Sequence, residues 1–115
     1  MAVYTRAMTV PEVDPATLRA EMDGAHPPTV IDVRESDELE VSRLPDEIRH
    51  IPLGTLPGAL DSLDANGNYV VVCRIGGRSA QATAFLMRNG FEKVRNLTGG
   101  MNAYAREVDP TLPEY

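Results

Sequence analysis

Two stretches of the chain are apolar almost without interruption. Thr29-Val30-Ile31-Asp32-Val33 and Tyr69-Val70-Val71-Val72-Cys73 are β-branched runs of the kind found in strands buried on both faces. The second is launched from a turn at Asn66-Gly67-Asn68 and ends at a loop containing Gly76-Gly77. From Ser79 to Asn89 the pattern turns helical. Ala80, Ala84 and Met87 fall on one face with Phe85 beside it, and Gly90 stands where a glycine ends a helix. Val94 to Leu97 predicts a further short strand, followed by Gly99-Gly100 and a last helix through Ala105.

Ahead of these elements, Val10-Pro11-Glu12-Val13 predicts a short extended segment. Asp14 is placed to cap a helix whose first residue is Pro15 and whose apolar stripe is Leu18 and Met22; His26-Pro27-Pro28 stops it. The interval from Glu35 to Leu63 is Glu-rich and then broken by Pro45, Pro52 and Pro57. It predicts short helices and one short strand near His50 to Leu53. Strand, loop, helix and strand in that order is the pattern of a parallel sheet covered by helices, so an α/β fold is expected.

At 115 residues and 43% hydrophobic composition, one domain with one core is expected. No window approaches the roughly 20 apolar residues of a membrane helix. Residues 1–8, interrupted by Thr5 and Arg6, lack the apolar core of a signal peptide, so a cytoplasmic location and no membrane partner are expected. The single cysteine forbids an internal disulfide, and His26 and His50 are isolated, so no metal site is implied.

The formal net charge of -6 disfavours nucleic acid as a partner. Its distribution is uneven. Between Asn66 and Arg106 stand six of the chain's 11 basic residues (Arg74, Arg78, Arg88, Lys93, Arg95 and Arg106) and one of its 17 acidic residues, Glu92. The cysteine lies in that basic stretch.

Cys73-Arg74-Ile75-Gly76-Gly77-Arg78-Ser79 joins the carboxyl end of a buried strand to the amino end of a helix, the place where open α/β sheets bind ligands. A helix start directs unpaired N–H groups and partial positive charge at what lies before it. Gly76 and Gly77 permit positive φ, so the loop amides can converge on the sulfur as an anion nest. Helix N-termini and cations such as Arg74 and Arg78 favour thiolate over thiol, which makes Cys73 a candidate nucleophile rather than a small core residue. An exposed reactive cysteine of this kind would also link two chains on oxidation. Ser79 has two readings of equal weight, a donor to the sulfur anion or a helix cap. Asp32 and Arg34, alternating at a strand end, are expected to fix neighbouring loops. His50 is expected on a surface or loop.

At four places the chain resembles the rhodanese superfamily, from about Val10 onward. Val30 to Glu35 is similar to the family's "IDVRE" strand; Pro52-Leu53-Gly54 to its "IPLG" segment; Val70 to Ser79 to the active-site stretch "VVVYCRSGNRS"; and Asn96 to Met101 to "NLEGGI". The family's "GHIPGA" stretch has no clean counterpart between Val41 and Arg49, and Tyr104 stands where an aromatic Trp is usual. The resemblance implies a three-layer domain with a central, mainly parallel, five-stranded sheet. It divides the chain into an N-terminal extension (1–9), the domain (10–107) and a C-terminal tail (108–115). The tail resembles that of rhodanese domains fused to enzymes that adenylate sulfur carriers, and its prolines are expected to close off the last helix.

By the same resemblance Cys73 carries sulfane sulfur as a persulfide, and Arg74, Ile75, Gly76, Gly77, Arg78 and Ser79 bind the transferred group. A sulfur-containing anion such as thiosulfate is the implied donor. Cyanide, a thiol or a sulfur-acceptor protein is the implied acceptor, and no cofactor is implied. Two other classes remain. One is a rhodanese-like module that binds or regulates without turnover. The other is a cysteine-dependent phosphatase or arsenate reductase, whose loop runs Cys, five residues, Arg; here four residues separate Cys73 from Arg78, a smaller cradle.

Overall fold

The computed structural model describes residues 9–115; the greater part of the predicted N-terminal extension lies outside them. Five strands form one sheet: β1 (Glu12–Val13), β2 (Thr29–Asp32), β3 (Ile48–His50), β4 (Asn68–Val72) and β5 (Lys93–Leu97). Their spatial order is β1-β5-β4-β2-β3. Every neighbouring pair is parallel, with Val30 beside Ile48 and Val70, and Val70 beside Arg95. β4 is therefore the central strand.

Among the described residues five α-helices cover the sheet: α1 (Pro15–Met22), α2 (Ser36–Val41), α3 (Leu56–Ala59), α4 (Gly77–Arg88) and α5 (Gly100–Glu107). Short 3-10 turns at Leu53–Thr55 and Leu60–Ser62 flank α3. None is long and apolar enough to cross a membrane. Asp14 caps α1 through the Thr17 amide at 2.7 Å, with Pro15 in its first turn. This is the start predicted from the sequence. The stop differs: α1 ends at Met22 with Asp23 as its cap residue, ahead of the prolines.

Because side chains alternate across a strand, the buried runs feed two cores. Ile31, Val33, Val71 and Cys73 join Leu56 of α3, Ala82 and Leu86 of α4, and Phe91 on one face. Val30, Val70, Val72 and Leu97 join Leu18 of α1 and Met101 and Tyr104 of α5 on the other. Each fully buried aliphatic side chain contributes about 1.5–3 kcal/mol relative to exposure. The two clusters hold β4 rigidly from both sides, and the three-layer architecture follows.

Two local expectations are corrected. The inward face of α4 is Ser79, Ala82, Thr83 and Leu86, spaced i, i+3, i+4, i+7, with Ala84 of the expected stripe also buried, whereas Met87 is exposed. Small Ala and hydroxyl side chains form this face because the helix lies close to the sheet. The short strand β3 begins at Ile48, two residues before the predicted one, and ends at His50, where the predicted one begins. Ile51 and Leu53 still donate backbone bonds to Asp32 and Val33, at 2.9 and 3.0 Å.

Candidate active site

Cys73 follows the last residue of β4, and α4 begins four residues later at Gly77. The intervening turn closes because Gly76 adopts φ +106°, a conformation that disfavours any residue with a Cβ. Gly77, expected to share this role, is instead the first residue of α4 and has no positive φ. The turn brings the Gly76 amide to 3.1 Å and the Ser79 amide to 3.3 Å from Cys73 Sγ. Two N–H donors and the start of a 12-residue helix thus converge on one sulfur atom.

The Ser79 hydroxyl sits 3.1 Å from the same sulfur. Its two readings are separated by geometry. Gly76, not Ser79, precedes the helix as its cap residue, and Ser79 lies in the first turn with its side chain fully buried against Cys73. Asn96, on the neighbouring strand β5, completes this arrangement. Its Nδ2 donates to the Gly76 carbonyl at 3.1 Å, which turns its Oδ1 toward the hydroxyl of Ser79. Sequence reasoning quoted Asn96 only within a motif; its burial in a strand, at 2% exposure, is the feature that marks it.

Cys73 is buried, at 1% exposure, which corrects the expectation of an exposed cysteine that could link two chains. Its side chain points from the strand end into the concavity of the loop, where Ser79 and the amides surround it. The exposed part of the loop is its tip, with Ile75 at 62% and Arg74 beside it.

The loop is clamped from behind by the start of α5. Met101 N–H donates to the Cys73 carbonyl at 2.8 Å and Asn102 N–H to the Arg74 carbonyl at 3.0 Å. Gly100, at φ +63°, makes this approach feasible: a Cβ there would stand 2.5 Å from the Arg74 carbonyl carbon and oxygen. Gly100 therefore belongs to the site through its lack of a side chain.

The two loop arginines have different surroundings. Arg78 makes a bidentate pair with Glu38 of α2, at 2.7 and 2.8 Å. Glu38 also accepts from the Glu35 amide at 3.0 Å and the Tyr115 hydroxyl at 2.9 Å. Chiefly through Arg78, opposed by desolvation and aided by these two donors, the Glu38 carboxyl is held down at a pKa of about 2. Arg74 instead lies over the Tyr115 ring, 5.3 Å from its centroid.

Asp32 and Arg34 form a buried ion pair at 2.8 Å, at 1% and 0% side-chain exposure. Arg34 also donates to the Ser42 carbonyl and the Tyr115 hydroxyl, each at 2.8 Å. These contacts tie the loop after β2 to the segment after α2. His50 ends β3 and lies with Nε2 2.7 Å from the Arg34 carbonyl, remote from the sulfur in its bonding.

An all-parallel α/β domain with a cysteine cradled at the carboxyl end of its central strand is one architecture of sulfur chemistry. The chain belongs to the rhodanese-like domain family, whose model matches residues 14–107. It is 32% identical to a sulfurtransferase of Allochromatium vinosum over 103 residues, covering 90% of this chain and 95% of that protein. It is 41% identical over 90 residues to a chloroplastic rhodanese-like/PpiC domain-containing protein of Arabidopsis thaliana; that match covers 75% of this chain but 30% of the plant protein. A rhodanese-like domain protein of Staphylococcus aureus superposes with a TM-score of 0.78 at 30% identity, covering 86% of this chain and 95% of that one. Sulfur transfer is the general activity these relatives support.

Proposed function

We propose that the protein is a sulfurtransferase that takes sulfane sulfur from an anionic donor such as thiosulfate and carries it as a persulfide on Cys73. The single observation that carries this reading is the convergence of the Gly76 and Ser79 amides on Cys73 Sγ, at 3.1 and 3.3 Å. Donors so placed stabilise negative charge on sulfur, whether on the resting thiolate or on the terminal sulfur of a persulfide.

The cycle has two displacements. The Cys73 thiol first loses its proton to solvent base. The thiolate then attacks the outer sulfur of thiosulfate; the new S–S bond to Cys73 forms as the donor's S–S bond breaks, and its electron pair leaves on sulfite. In the second step a thiophile attacks the outer sulfur of the persulfide. With cyanide the product is thiocyanate, and the electron pair of the breaking bond restores the Cys73 thiolate. A thiol or a sulfur-acceptor protein enters the same step as nucleophile. Arg74 and Ile75 form the exposed lip of the loop, Gly76 gives it its turn, and Gly77, Arg78 and Ser79 supply the helix start against which the transferred sulfur rests.

Intact-protein mass spectrometry under non-reducing conditions tests the reading. Incubation with thiosulfate should add one sulfur, about 32 Da, to Cys73, and cyanide should remove it. A Cys73→Ser variant that still turns over thiosulfate and cyanide would overturn the mechanism.

A further inference from the structure

The loop carries two arginines, yet only one is free to meet an anion. Arg78 is neutralised by its bidentate pair with Glu38, at 2.7 and 2.8 Å. Among the described residues no carboxylate pairs with Arg74. Its guanidinium rests on the Tyr115 ring at 5.3 Å, within the range of a cation–π contact. Stacking of this kind leaves the N–H edge of the guanidinium open to a second partner.

Tyr115 is itself held at three points. Its backbone N–H donates to Asn102 Oδ1 at 3.0 Å, and Asn102 N–H in turn donates to the Arg74 carbonyl at 3.0 Å. Its hydroxyl accepts from Arg34 Nη1 at 2.8 Å and donates to Glu38 Oε2 at 2.9 Å. The segment that delivers it is anchored by Leu112, packed against the α1/α5 core, and by an Arg106–Glu114 ion pair at 2.6 Å. A ring so fixed is a rigid platform, bonded to the same residue that clamps the loop backbone.

We propose that Tyr115 is a positioning residue that holds Arg74 as the cation met by an anionic donor approaching Cys73, and so sets the preference of the site for anions. The proposal rests on the sulfur-transfer reading for its donor but not for its charge selectivity. Residue 115 lies beyond the 14–107 span of the family model.

The charge at the lip can be read without sulfur transfer, because Cys73 is the only thiol. Two methanethiosulfonate reagents of similar size, one bearing a sulfonate and one a trimethylammonium group, are compared by their second-order rates of modification of the full chain. Tyr115→Leu and Arg74→Gln should each lower the anion-to-cation rate ratio about two- to fivefold, the scale of one exposed cation–π contact. The double variant should fall no further than Arg74→Gln. Tyr115→Phe, which keeps the ring, should stay within about twofold of the parent, as should the exposed control Arg88→Gln, which removes the same net charge at the far end of α4.

With thiosulfate as substrate, Tyr115→Leu should raise KM by a similar factor and leave kcat unchanged. A ratio that Tyr115→Leu leaves intact while Arg74→Gln lowers it would overturn the proposal. So would a Tyr115→Phe variant as impaired as Tyr115→Leu, a control as effective as Arg74→Gln, or a Cys73 that reacts with neither reagent. If the ratios behave as expected while thiosulfate leaves no persulfide, the inference stands and the donor assignment falls.

Discussion

Asn96 directs the hydroxyl of Ser79. Its amide is oriented by the bond from Nδ2 to the Gly76 carbonyl at 3.1 Å, so Oδ1 faces Ser79 Oγ and receives its proton. A serine hydroxyl has one proton and two lone pairs. While that proton is given to Asn96, Ser79 offers a lone pair to Cys73, 3.1 Å away, and accepts from the thiol. To serve the thiolate, the hydroxyl must turn from Asn96 to sulfur.

Asn96→Ala should therefore act in two ways. It removes one of the two donors to the Gly76 carbonyl, which keeps the Ala80 amide at 3.1 Å, and the Asn96 acceptor of the Ser79 hydroxyl, at a cost of about 0.5–1.5 kcal/mol per bond, read as a lower urea midpoint. It also frees the Ser79 hydroxyl to remain on sulfur. Ser79→Ala removes that donor altogether and should slow persulfide formation, measured in a single turnover with thiosulfate. Equal rates in Ser79→Ala and the parent would remove the hydroxyl from the mechanism.

Gly100→Ala should damage the site from a distance in sequence. The added Cβ would lie 2.5 Å from the Cys73 and Arg74 carbonyl oxygens, on a backbone at φ +63°. The steric overlap and the unfavourable φ together should cost at least about 1–3 kcal/mol. Because the displaced atoms belong to the loop, sulfur transfer should fall along with stability. Unchanged kinetics in a folded Gly100→Ala protein would show that the clamp between α5 and the loop is not needed.

Arg34→Met should be among the most disruptive single changes outside the loop. It strands Asp32 as an unpaired charge at 1% exposure, and breaking a buried pair from one side costs about 3–5 kcal/mol. Urea unfolding measures this directly. Changing Asp32 and Arg34 together to apolar residues should recover part of the loss, since no uncompensated charge then remains.

The Glu38–Arg78 pair predicts a pH dependence of stability with a definite sign. The Glu38 carboxyl titrates at about 2 in the folded protein, against an ordinary value of 4.5. A depressed carboxylate stabilises the fold fully above the unfolded value, and its share is lost as pH falls from there toward the folded one. The advantage of the parent over Glu38→Gln should thus be constant from pH 7 to about 5 and shrink toward pH 2. Urea midpoints of the two proteins at pH 7, 4 and 2.5 test this; a gap unchanged at pH 2.5 would mean that charge contributes nothing to it.

Much of the site was legible because it is local. The run Tyr69 to Cys73 announces a buried strand, Gly76 the turn, and the residues after it a helix; together they locate the sulfur at the carboxyl end of β4. Hydrophobic periodicity placed only part of the inward face of α4, since beside Ala84 the buried residues include Ser79, Ala82, Thr83 and Leu86. Small and hydroxyl-bearing side chains carry little hydropathy signal even when they are fully buried.

The sequence by itself determined the order of strands and helices, the family, and the strand-loop-helix unit around Cys73, because each depends on residues within a few positions of one another. Only the tertiary structure decided that Arg78 is neutralised by Glu38, 40 positions away, that Asn96 controls Ser79, and that Tyr115 carries Arg74. The strand order β1-β5-β4-β2-β3 brings these partners to one end of the sheet. Pairings across that order arise from packing two faces of one sheet at once, which no local pattern of the chain encodes.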